Sequence, residues 1–343
     1  MPPDPGVVAS TDGGVEEDVR HRVVRVRFAT DRDYDPNARS NQAFGANRSD
    51  LRYGICEVSI PADHRMGELE SPGWMELYRE NPDKHVVLMR IDTQSALEFF
   101  EVFHRDAIDD DAALLFVHGY NVEFKDAARR TGQMAYDLGF LGTPMFFSWP
   151  SRGEPTAYAR DGDQAKASKS NLREVVESVL DHTQTERLYV IAHSMGTRAT
   201  TRVVSELIRE RPELRGRIRE LVLAAPDIDA DVFRNEIAPA LISSGAPVTL
   251  YASSGDRTLE LSRRYHGAPR AGYAGDDMVI VPGIETIDAT GVATSFWGHS
   301  YYAERRSILS DLFSMFRHGV RASDRFGLET IREPRGTYWR FRP

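Results

Sequence analysis

"VIAHSMGTRATTRVV", residues 190–204, sets an apolar run directly against a helix-like run, with one serine, Ser194, at the junction. Working outward, the same alternation continues on both sides. Apolar runs at 85–91 ("HVVLMRI"), 113–119 ("ALLFVHG"), 144–149 ("PMFFSW"), 187–194 ("RLYVIAHS"), 221–226 ("LVLAAP"), 248–253 ("VTLYAS") and 278–284 ("MVIVPGI") read as strands. Helical patterns lie at 95–107, 124–140, 165–183, 196–210 and 300–318; Leu172, Val175, Val176 and Val179 recur at helical spacing. Strands that alternate with helices predict an α/β fold, a mostly parallel central sheet covered by helices on both faces. Upstream, "RVVRVRFAT" (22–30) and "LRYGICEVSI" (51–60) read as early strands of edge type, and the polar stretches 31–50 and 61–84 as long surface loops.

The chain has 343 residues, 41% hydrophobic, enough for a sizeable core, and a formal net charge of -9. That charge argues against nucleic acid as a partner, since such surfaces carry a clustered positive field. Cys56 is the single cysteine, so no intrachain disulfide and no thiolate metal cluster is expected. No basic-then-apolar leader pattern opens the chain and no run approaches the roughly 18 apolar residues of a spanning helix, which makes the cytoplasm the default expectation. Residues 1–21, rich in Pro, Gly, Asp and Glu, are expected to form a disordered tail. Residues 22–320 are then the folded domain, and 321–343 a basic, aromatic tail packed on or near it. From Arg317 to Pro343 seven arginines face Asp324, Glu329 and Glu333, interleaved with Tyr338, Trp339 and Phe341.

A strand running straight into a helix forces a tight turn, and a nucleophile at its tip is lifted clear of the sheet. Small residues are needed two before and two after it; here they are Ala192 and Gly196 in "AHSMG". A small-x-Ser-x-Gly match arises by chance in roughly one chain in four of this length, so its place at a strand-to-helix junction is what gives it meaning. A serine needs a base to take its proton, and the base needs an acid to orient it. Asp256 follows the strand "VTLYAS", and His299 lies in the loop "DATGVATSFWGHSYY" before the last long helix, giving the chain order serine, acid, histidine. Asp227 in "AAPDIDADVF" is the rival acid, although it and Asp229 also suit helix caps. Oxyanion donors are expected from the backbone N–H groups of Met195 and of Tyr120, the latter on the loop that starts with His118 and Gly119. His118 and His193 flank this place without a metal-ligand spacing, so no metal and no cofactor is expected. Trp149 and Trp297 are candidates to line the pocket, and the polar stretch 151–170 does not read as an apolar lid.

On "RSDLRYGICEVSIPADHRMGELE", "LLFVHGYNVEFKDAARRTGQMAYDLGF", "FFSWPSRG", "IAHSMGTR", "LAAPDIDADVF", "TLYASSGD" and "GHSYYA", the chain resembles the alpha/beta hydrolase superfamily over about residues 22–320. Within it the resemblance is to an uncharacterised, esterase/lipase-like bacterial branch, a domain of unknown function that tolerates Ala192 in place of the usual glycine. The resemblance implies a triad of Ser194, Asp256 and His299 and an oxyanion loop at His118 to Tyr120. The expected activity is a serine carboxylesterase that works through an acyl-enzyme on a small-molecule ester. A catalytically silent scaffold of the same fold and an acyltransferase on the same triad are the alternatives, and the oligomeric state is not legible.

Overall fold

The apolar runs on either side of Ser194 become the middle of one large sheet. The computed structural model describes residues 20–73, 79–154, 156–292 and 302–342. Its strands are β1 (His21–Tyr34), β2 (Phe44–Pro61), β3 (Leu88–Gln94), β4 (Ala112–Val117), β5 (Thr143–Ser148), β6 (Arg187–His193), β7 (Ile218–Ala224), β8 (Val248–Ala252), β9 (Glu285–Asp288), β10 (Leu328–Glu333) and β11 (Gly336–Phe341). They are ordered β10-β11-β9-β8-β7-β6-β4-β5-β1-β2-β3. Pairing is parallel from β1 through β5, β4, β6, β7, β8 and β9 to β11. Only at the two ends is it antiparallel.

Helices are α1 (Ala96–Glu101), α2 (Phe124–Asp137), α3 (Tyr158–Ala167), α4 (Lys169–His182), α5 (Thr197–Glu210), α6 (Ala230–Val232), α7 (Ala238–Ser244), α8 (Arg257–His266) and α9 (Tyr302–His318). Val175, Val176 and Val179 of α4 and Val203, Val204 and Leu207 of α5 pack on one face of the sheet. Ala127, Ala128 and Met134 of α2 with Ile308, Leu312 and Met315 of α9 cover the other. Every residue of β4 and of β8 is buried, as a parallel strand covered on both faces requires. Each Val, Leu and Phe among them contributes about 1.5–3 kcal/mol of burial. Among the described residues no helix is long and apolar enough to cross a membrane.

The structure departs from the sequence reading in several places. Residues 278–284 form no strand: Pro282 lacks an N–H to donate, Gly283 turns the chain at φ +96°, and the paired strand is the next four residues, β9. β1 and β2 are interior, because β1 pairs with both β5 and β2; β3 takes the edge. They also reach into the stretch 31–50 read as loop. The pattern at 165–183 divides at Ser168 into α3 and α4. Beyond α9, β10 and β11 form a hairpin whose second strand adds to β9. Of the proposed tail at 1–21, residues 1–19 lie outside the described residues.

Candidate active site

β6 ends at His193 and α5 opens at Thr197, so the chain must turn within Ser194–Gly196. Ser194 takes φ +48°, a left-handed conformation that costs a residue with a side chain about 1–2 kcal/mol. The surroundings hold it there. Its carbonyl accepts from Thr197 Oγ1 and from the Asp227 N–H at 3.2 Å. A Cβ at Gly196 would lie 2.3 Å from the His118 carbonyl oxygen, and one at Gly119 2.9 Å from Ser194 Cβ, so neither position admits a side chain. Ala192, paired with Val117 and Leu223 and fully buried, is equally confined. Ser194 is 4% exposed, and its Oγ has no hydrogen-bond partner among the described residues. Most buried hydroxyls are bonded; among the described serines only Ser168 Oγ shares this state with Ser194.

The loop after β4 presses on this turn and is itself braced. His118 Nδ1–H donates to the Gly119 carbonyl at 2.8 Å, and its Nε2 accepts from Ser148 Oγ at 3.1 Å, which in turn accepts from Arg32 Nε at 2.8 Å. Burial, with Arg32 nearby, holds the His118 pKa well below the usual histidine value, so the ring stays neutral. Trp149 stacks on His118 at 4.9 Å and donates its indole N–H to the His118 carbonyl, placing it beneath the loop, 1% exposed. Ser148 is fully buried with its hydroxyl committed between Arg32 and His118, so this Ser–His contact braces the loop and has no opening to a substrate. Burial also takes His193 down to about 3. Asn121, at φ +59°, then leads into α2.

The two candidate acids differ sharply. Asp227 is 1% exposed and saturated: Oδ1 accepts from Ser262 Oγ (2.5 Å) and Arg270 Nε (2.8 Å), Oδ2 from Tyr158 Oη (2.6 Å) and Arg198 Nη2 (2.9 Å). Burial alone would raise its pKa, but Arg198 and Arg270 outweigh it and hold the carboxyl below its usual range. Asp256 is half-buried and caps α8 through Oδ1, which accepts from the N–H groups of Thr258 (2.9 Å) and Leu259 (3.0 Å). Burial raises its pKa despite these bonds. Asp229 caps α6.

Strand register puts these loops on one rim. His193 pairs with Ala224, Ala224 with Tyr251, and Ala252 with Asp288, so the residues that follow leave the sheet in a row at its carboxyl edge. β6 and β8 are two strand spacings apart, about 10 Å. The loop after β8 is tied to the chain after β9 by the Ser254 N–H donating to Thr290 Oγ1 at 3.1 Å. His299 and Trp297 lie outside the described residues.

A family model for "Alpha/beta hydrolase of unknown function (DUF900)" matches residues 96–315. The chain belongs to that family. This alpha/beta hydrolase is also similar in fold to solved esterases. One is a cold-adapted esterase from an Arctic intertidal metagenomic library (12% identity, TM-score 0.40, covering 89% of this chain and 99% of that one). Another is from Pyrococcus furiosus (15%, TM-score 0.35, 61% and 83%), and a third from Pyrobaculum calidifontis (10%, TM-score 0.34, 77% and 81%). No curated protein matches the chain.

Sequence reasoning missed the groups that hold this hydrolase's rim. Arg32, 1% exposed, donates to the carbonyls of Gly45, Ser151 and Val122, each at 2.8 Å, and so ties β1 to the loop after β4. Burial lowers its pKa to about 10, which leaves it charged at neutral pH. Asp161, fully buried, accepts from Ser151 Oγ at 2.6 Å and the Arg152 N–H at 3.1 Å. In sequence, Arg32 is one more charge in "TDRDY", with nothing to mark it as buried.

Proposed function

We propose that this alpha/beta hydrolase is a serine esterase that cleaves a small carboxylic ester through an acyl-enzyme. The observation that carries the reading is Ser194 itself: a hydroxyl held at positive φ at the carboxyl edge of the sheet, buried and unbonded among the described residues. Strain and an unsatisfied group are retained where function requires them. In this reading His299 takes the Ser194 proton as Oγ attacks the carbonyl carbon, and Asp256 fixes the imidazole and stabilises its charge. Asp256 is favoured over Asp227 because the Asp227 oxygens already serve four donors, whereas Asp256 spends one oxygen on its cap. The N–H groups of Met195 and Tyr120 receive the oxyanion; contact of Gly119 with the turn supports that role. His299 then protonates the leaving alcohol, and water repeats the sequence to release the acid.

With Cys56 buried as a free thiol, the proposed setting is the reducing cytoplasm. The test is p-nitrophenyl ester hydrolysis across acyl lengths, with products analysed in the presence of added methanol. Turnover by the wild type to free acid supports esterase action. Methyl ester as the main product would assign acyl transfer, and folded protein without turnover on any ester would favour a silent scaffold.

A further inference from the structure

A concavity lined by none of Ser194, Tyr120 and Asp256 opens between α3, α5 and α6 with a volume of about 550 Å³. That is within the range of about 300–1,000 Å³ usual for small-molecule sites. Its wall is apolar: Ala199 from α5, then Ile228, Val232 and Ile237. Five cations also line it, Lys166, Lys169, Arg198, Arg202 and Arg270. Three of them are answered. Lys169 pairs with Glu206 at 2.7 Å, and Arg198 and Arg270 share Asp227 at 2.9 and 2.8 Å. Asp229, the lining carboxylate, is engaged in capping α6. Lys166 and Arg202 meet no carboxylate among the described residues, and both are exposed on neighbouring helices. Even with Asp229 counted against them, the cavity keeps an excess of positive charge beside an apolar wall.

We infer that this cavity binds a small organic anion with an apolar body, of the phosphomonoester class, whose head meets Lys166 and Arg202 while its chain lies on Val232 and Ile237. Two cations converging on one cavity favour a dianion over a monoanion, and an apolar wall favours an alkyl group over water. The cavity's lining includes none of the residues assigned to the esterase chemistry, although its Arg198 holds Asp227, whose N–H donates to the Ser194 carbonyl.

Titration calorimetry of the full chain at low salt with hexyl phosphate, inorganic phosphate and hexanol tests this. Hexyl phosphate is expected to bind at least tenfold more tightly than either of the others. Replacing both exposed cations, Lys166→Gln with Arg202→Gln, should weaken it at least tenfold, and so should Val232→Trp, which fills the apolar wall but keeps both charges. Binding should persist in Ser194→Ala, so the result is independent of any esterase activity. Hexanol or inorganic phosphate binding as tightly as hexyl phosphate, or either variant binding it unchanged, would overturn the proposal.

Discussion

The turn at Ser194 and the C-terminal edge of the same sheet hold different kinds of buried polar group. At the edge each buried charge meets an opposite one, with Asp311 Oδ1 and Trp339 Nε1 left unbonded among the described residues. Arg325, 1% exposed, reaches Asp311 at 2.8 Å and also pairs with Glu285, while Arg321 bridges Glu220 at 2.7 Å and Glu285 at 2.9 Å. Tyr251 donates to Asp311, and Thr249 Oγ1 to Glu220 at 2.7 Å. At the rim a serine holds φ +48° with its hydroxyl unbonded among the described residues, and Ala225, at the end of the next strand, holds φ +48° as well. The edge resembles a part selected to stay folded; the rim keeps strain that the packing around it sustains. Loss of activity and loss of stability should therefore separate by region.

The largest effect expected is at Asp256. Asp256→Asn should lower kcat on a p-nitrophenyl ester by about 10⁴-fold, the cost of a misoriented imidazole, with only a small change in melting temperature. Asp227→Asn should do the reverse. It leaves Arg198 and Arg270 facing a neutral partner and should cost about 3 kcal/mol in urea unfolding, with kcat of the folded fraction within tenfold of wild type. Equal, mild losses from the two substitutions would break the contrast drawn between the acids.

At the edge, Arg325→Met strands the carboxylate of Asp311 and leaves Glu285 to Arg321 alone; it should destabilise by about 3 kcal/mol, leaving kcat/KM unchanged at a temperature where the protein stays folded. A large kinetic defect here would show that the two regions are coupled.

Smaller is the effect expected at His64, which pairs with Glu70 of its own loop (2.8 Å) and fastens that loop to α2 through Asp137 (2.9 Å). Burial alone would lower its pKa, but these two partners raise it to about 9. The folded value exceeds the unfolded value of about 6.5, so the stabilisation is complete below pH 6.5 and is lost as pH rises through 9. His64→Gln should cost about 2 kcal/mol at pH 6 and far less at pH 10, measured by urea unfolding at both.

The smallest effect on stability carries the opposite sign. Ser194→Gly removes both the left-handed strain and the unbonded hydroxyl. It should raise stability by about 1 kcal/mol while abolishing turnover. A Ser194→Gly protein less stable than wild type would mean that no strain is kept at the turn.

Much of this architecture was legible from periodicity alone. β4 through β8 fall where apolar runs of six to eight residues stand between turn signals, and α2, α4 and α5 where apolar residues recur every three or four. Legibility failed where tertiary context decides. "MVIVPGI" is apolar enough for a strand, but its Pro and Gly stop the ladder and the shorter, more polar "ETID" pairs instead. The hairpin of β10 and β11 reads as a charged tail because its place beside β9 depends on contacts remote in sequence, Arg340 with Asp288 at 3.1 Å for example. At the candidate site, the turn at Ser194 and the approach of Gly119 follow from local sequence and topology. The Arg32–Ser148–His118 brace and the four-donor shell of Asp227 join residues up to 116 positions apart, a relation no local pattern encodes.

The central claim is that Ser194 is a nucleophile. Treating the folded protein with a fluorophosphonate and mapping the adduct by peptide mass spectrometry tests it most directly. One adduct per chain is expected, on Ser194, absent from Ser194→Ala and formed far more slowly in Asp256→Asn. A folded protein that stays unlabelled, or an adduct on another residue such as Ser148, would contradict it.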